Sequence, residues 1–143
     1  MDDRSGVVDL SIRHARALDE RDWELLAGVF TADVKVSYSS GNHVQGRDAV
    51  VAQVRAALEG CGPTQHLLGN HVVEFDGDRA RSRCYVRAFA AGAPDSRWAG
   101  HTYELFAVYR DELVRSADTW QVERRRMDVV AFELGERCVL GTG

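Results

Sequence analysis

Thr64-Gln65-His66-Leu67-Leu68-Gly69-Asn70-His71-Val72-Val73-Glu74 is the stretch whose reading decides the fold. A Gly62-Pro63 break opens it, and an alternating apolar run over 71–75 follows, so a strand begins at His66. Asp76-Gly77-Asp78 is then a hairpin turn signal. The return strand covers 79–90, with small side chains (Ala80, Ser82, Cys84, Val86) on one face and bulky or basic ones on the other. In a regular strand His71 faces opposite His66, because successive side chains alternate. After a loop at 92–96, strands over about 99–115 and 120–132 are separated by a short turn holding Asp118. The tail, 133–143, reads as loosely held.

Upstream of the break the period changes from two to that of a helix. Residues 5–18 place Val7, Leu10, His14 and Leu18 on one face, and Asp2 or Asp3 can cap the start. Asp19-Glu20-Arg21-Asp22 is a polar break, with Asp22 as N-cap of a second helix over 23–30 that buries Trp23, Leu26, Val29 and Phe30. A strand over 34–39 follows, then a turn at Ser40-Gly41-Asn42. A third helix runs from Gly46 to about Glu59 with Val50, Val51, Val54, Ala57 and Leu58 in a stripe, and Gly60 stops it. Helix–helix–strand–helix and then a meander make an α+β layer architecture, in which three N-terminal helices cover one face of a curved antiparallel sheet. Such a sheet encloses a cavity as readily as a filled core.

The 143 residues fit one domain, with a core over about 5–132. A net charge of −4 argues against a nucleic-acid partner, since phosphate neutralisation needs a basic face. Only Glu123-Arg124-Arg125-Arg126 is locally basic. There the simpler reading is a solvated outer face, the sharper one that Arg124 or Arg126 points inward. No apolar run is long enough to span a bilayer and no signal peptide opens the chain, so a cytoplasmic address is expected. Cys61, Cys84 and Cys138 are expected as reduced thiols. His14, His43 and His101 show no pairing with carboxylates at metal-ligand spacing, so no metal is expected, and no other cofactor is expected either.

Three patches carry a resemblance: Asp19-Glu20-Arg21-Asp22-Trp23-Glu24-Leu25-Leu26, Thr64-Gln65-His66-Leu67-Leu68-Gly69, and Trp120. With their intervals, they resemble the SnoaL-like members of the nuclear transport factor 2 superfamily over about residues 5 to 132. The most similar branch contains scytalone dehydratase, bile acid 7α-dehydratase and hexachlorocyclohexane dehydrochlorinase. The resemblance implies a cone-like α+β barrel and pairing or trimerisation through the exposed sheet face. It also implies a catalytic pair: Asp19 on a helix would hydrogen-bond His66, which takes a proton from the substrate. Tyr38 matches a tyrosine that helps hold a water beside a substrate carbonyl. Tyr109 sits near a pocket asparagine of the family. Trp23 is a further candidate for the pocket lining. The chain departs from the family at Leu18, where another pocket tyrosine stands. A second pocket histidine falls near Ala90, and an arginine that aids halide departure falls near Val129. Leu18 and Val129 are therefore expected to line the pocket without that chemistry.

An imidazole is neutral yet basic near pH 7, and a carboxylate on its other nitrogen fixes the tautomer and stabilises the imidazolium. Ser39, Ser40 and Thr64 lack the context of a nucleophile. Proton abstraction next to a carbonyl is then the natural chemistry. Three readings stay open on the sequence: a cofactor-independent lyase acting on a small, largely apolar carbonyl compound, an isomerase or cyclase of polyketide or steroid-like intermediates using the same base, and a non-catalytic module. The last expects a blocked cavity, or a His66 ring too far from Asp19 to hydrogen-bond.

Overall fold

The computed structural model describes residues 3–136; Asp2, Cys138 and the tail beyond 136 lie outside them. Among the described residues, helix α1 (Asp3–Glu20) and helix α2 (Trp23–Val29) lead into β1 (Phe30–Tyr38) and a short β2 (His43–Gln45). Helix α3 (Arg47–Leu58) precedes the meander of β3 (Cys61–Asp76), β4 (Arg79–Gly92), β5 (His101–Ser116) and β6 (Thr119–Glu136). The sheet order is β2-β1-β6-β5-β4-β3, an open, curved sheet with the helices on one face.

Local chemistry accounts for most of these boundaries. The Asp22 carboxylate accepts the Leu25 N–H at 2.9 Å and caps α2, as its position predicts. Gly46, at φ 91°, opens α3 in a conformation that favours glycine. Leu10, Leu26, Val29, Phe30, Val50 and Leu113 are each no more than 2% exposed, and each contributes roughly 1.5–3 kcal/mol by leaving water. Cys61 and Cys84 are free thiols.

Besides the earlier start of β1 at Phe30 and the unexpected short β2, the sheet differs from the expected one in three ways. It is mixed, because β1 pairs with β6 in parallel while the other neighbours run antiparallel. The last strand extends to Glu136, past the expected end at 132. The third difference is that β3 starts at Cys61, so Gly62-Pro63 lies inside a strand. β3 is an edge strand and its register shifts between Cys61 and Thr64, which is where proline is tolerated.

Two further bulges decide which way the site residues point. Between Gly69 and Val72, β3 carries one extra residue against β4, and Asn70 takes φ 56° there. The alternation resets, and His71 turns to the same face as His66 instead of the opposite one. In β6 the register shifts beside Glu123: Val122 pairs with Leu113 but Arg124 with Glu112. Counting by twos from Trp120 and Val122 sends Arg124 and Arg126 inward. The bulge reverses this, and Arg125 is the one that enters the core, 5% exposed.

Candidate active site

Asp19 sits in the last turn of α1, where the helix ends in a Schellman motif. Asp22 N–H reaches Ala17 O at 2.9 Å, Arg21 N–H reaches Leu18 O at 3.3 Å, and Arg21 is left-handed at φ 58°. The Arg21 guanidinium then donates to Gly62 O at 2.8 Å, Thr64 Oγ1 at 2.8 Å and Leu18 O at 2.6 Å. One side chain thus ties the helix end to the start of β3.

That clamp sets Asp19 beside His66. The His66 ring Nδ1 lies 2.7 Å from Asp19 Oδ1, the His66 backbone N–H donates to Asp19 Oδ2 at 2.9 Å, and Thr64 Oγ1 donates to Asp19 Oδ1 at 3.0 Å. A carboxylate accepts, so the ring proton belongs on Nδ1 and Nε2 is left with its lone pair.

His66 opens into a cavity of about 220 Å³ between the sheet and helices α1 and α3, room for roughly seven water molecules. Leu18, Tyr38, Tyr103, Tyr109, Val54 and Met127 are part of its lining. The Tyr38 hydroxyl donates to Gln53 Oε1 at 2.9 Å, and burial raises its pKa against an opposing pull from Arg125. Burial also pushes Tyr109 up to about 12.

The same cavity holds a polar cluster that the sequence reading missed. Arg125 donates from Nε and one terminal nitrogen to the two oxygens of Asp111, both at 2.8 Å. Its other terminal nitrogen lies 2.9 Å from His14 Nε2. The guanidinium is 4.0 Å above the Tyr109 ring centre. Burial works against the charge on Arg125, but the paired Asp111 carboxylate outweighs it and the pKa is raised. His14 is held well below the usual histidine value by burial first, then by Arg125 and by His66. Its Nδ1 is buried with no hydrogen-bond partner.

Of the expected site residues, the fold brings His66, Asp19, Tyr38, Tyr109 and Leu18 together. It does not bring Trp23 or Val129. Trp23 opens α2 and packs on the core with Arg55 over its ring. Val129 is 40% exposed on a shallow depression beyond Met127 and Tyr38, with its N–H bound to Ser39 Oγ. His14 was hidden because its helical spacing counts it into an apolar stripe. No group of three or more His, Cys, Asp or Glu side chains among the described residues is placed to hold a metal ion.

A larger hollow of about 1070 Å³ lies on the sheet face turned away from the helices, edged by Lys35, Arg81, Arg83, Arg110, Arg124 and Arg126. Neither His66 nor Asp19 reaches it.

The family model of the SnoaL-like domain matches residues 1–126. The uncharacterized protein Rv2910c of Mycobacterium tuberculosis is 32% identical over 127 residues, covering 86% of this chain and 82% of that protein. Hexachlorocyclohexane dehydrochlorinase LinA-type3 from Novosphingobium barchaimii superposes with a TM-score of 0.82 at 18% identity, covering 96% of this chain and 94% of that one. A provisionally named scytalone dehydratase from Novosphingobium aromaticivorans gives 0.81 at 22% identity, covering 96% and 89%. At these identities the two solved structures speak for the fold.

Proposed function

The chain belongs to the SnoaL-like domain family, and from that premise we propose that it is a cofactor-independent lyase that eliminates a leaving group from a small, mostly apolar, carbonyl-bearing substrate. The observation that carries this reading is the 2.7 Å contact between His66 Nδ1 and Asp19, with the ring in the wall of an open cavity. A filled cavity or a separated pair would instead favour a non-catalytic module. The dehydrochlorinase and dehydratase names of two structural neighbours agree with elimination chemistry.

In this mechanism His66 Nε2 removes a proton from the carbon next to the carbonyl, and the C–H electron pair moves into an enolate. Asp19 stabilises the imidazolium that results. The enolate then re-forms the carbonyl and expels the leaving group from the adjacent carbon with its bonding pair. When that group is hydroxide, the imidazolium returns its proton and water departs. Tyr38 and Tyr109 flank the substrate. Tyr38 reaches a substrate oxygen only by turning its proton away from Gln53.

The test needs no native substrate. Cyclic ketones are incubated with the protein in D₂O and deuterium uptake at the carbon next to the carbonyl is followed by NMR. Wild-type protein should accelerate uptake. His66→Ala should fall to the buffer rate, and Asp19→Asn should lose a factor on the order of 10². Equal uptake by wild type and His66→Ala would remove the mechanism.

A further inference from the structure

A base that makes an enolate needs a partner for the oxygen on which charge collects, and a preorganised donor there contributes on the order of 10² to 10³ in rate. Tyr38 has one hydroxyl proton, and Gln53 already takes it. Tyr109 lies beneath the Arg125 guanidinium. The Arg125 donors face Asp111 and His14.

His14 is different. Arginine can only donate, so the 2.9 Å contact from Arg125 makes His14 Nε2 an acceptor without a proton. The neutral ring must then carry its proton on Nδ1. That nitrogen has no partner and is closed off from water, while other atoms of the ring line the same cavity as His66, so a substrate oxygen reaches it once the side chains around the ring give way. A buried donor left unsatisfied is costly, and a ligand oxygen would remove that cost. Asp111 fixes Arg125 through both of its oxygens, and the Phe30 and Tyr109 rings meet His14 edge-on at 6.0 and 5.5 Å. The imidazole is held from three sides.

We infer that His14 is the oxyanion donor of this cavity: its Nδ1–H bonds the substrate oxygen while His66 takes the proton, and Arg125 and Asp111 are positioning residues that lock His14 into the donating tautomer. The inference rests on the lyase reading and narrows its substrates to those that develop negative charge on oxygen, namely enolisable ketones and their phenol-like enols. The two histidines divide the work. His66 accepts a proton, and His14 donates a hydrogen bond without giving its proton up.

The test uses 4-nitrophenol, whose colour reports its ionisation when bound. Wild-type protein should bind the phenolate at least tenfold more tightly than the phenol. His14→Phe should erase that preference. His14→Gln should keep most of it, because the glutamine oxygen can accept from Arg125 while its NH₂ donates into the cavity. In ketone exchange, His14→Phe should lose a factor on the order of 10² and His14→Gln much less. Should His14→Phe fail to fold, the nitrogen NMR spectrum of the wild-type ring decides, since its Nδ1–H resonance must move when nitrophenolate is added. An unmoved resonance, equal phenolate preference in wild type and His14→Phe, or no binding of nitrophenolate at millimolar concentration overturns the inference. His66→Ala should retain the phenolate preference, so failure of the base and failure of the donor are separate results.

Discussion

At the scale of single residues, the proposed chemistry rests on two imidazoles held in opposite roles by their partners. His66 meets an acceptor at Nδ1, whereas His14 meets a donor at Nε2. The second arrangement has a thermodynamic consequence. The folded chain keeps His14 neutral well below its ordinary value of 6.5, while the unfolded chain protonates it there. The unfolded state then binds the extra proton, so stability falls as pH drops below about 6.5, by up to about 1.4 kcal/mol per pH unit from this group. His71, lowered by burial and by Arg4, acts in the same sense. Urea denaturation at a series of pH values between about 7.5 and about 5.5 should show wild type losing stability more steeply than His14→Gln. Equal slopes would mean that His14 takes up its proton in the folded chain. His66 was legible in sequence because a familiar motif surrounds it. His14 was not, because spacing reports position on a helix and cannot see Arg125 arriving from the last strand.

At the scale of elements, the dyad depends on how α1 stops. Arg21 stands in the left-handed conformation where glycine is usual, a placement that costs roughly 1–2 kcal/mol. In return its guanidinium bridges the helix end and β3 through three oxygens. Arg21→Gly and Arg21→Ala both lose the bridge, but only glycine relieves the backbone. The glycine variant should therefore melt above the alanine variant by roughly 1 kcal/mol in stability, with ketone exchange reduced in both. An alanine variant as stable as the glycine one would show that no backbone strain is held there. Caps, hairpin turns and helical stripes were readable because each depends on neighbouring residues. The bulges were not. The one beside Glu123 adds a residue without a composition signal of its own, the one after Gly69 shows only a Gly-Asn pair that a turn would share, and one residue reverses every later side chain, which is how Arg125 replaced Arg124 and Arg126 and how His71 joined the face of His66.

At the scale of the whole molecule, the architecture followed from the order of helices and strands. The parallel pairing of β1 with β6 did not, since it joins segments from opposite ends of the chain and no local pattern encodes it. That pairing shapes the site, because it sets Tyr38 beside Met127 in the cavity wall. Asp19 and His66 likewise meet only in the assembled fold, so the tautomer of His66 is a property of the folded state and not of the local sequence. Long-range proton–nitrogen NMR of ring-labelled protein reads it directly, with His66→Ala assigning the signal. Native protein should show His66 protonated at Nδ1 with a bare Nε2, and this preference should vanish in concentrated urea and weaken in Asp19→Asn. A native His66 that carries its proton on Nε2 would contradict the account, because the nitrogen facing the cavity would then have no lone pair to offer.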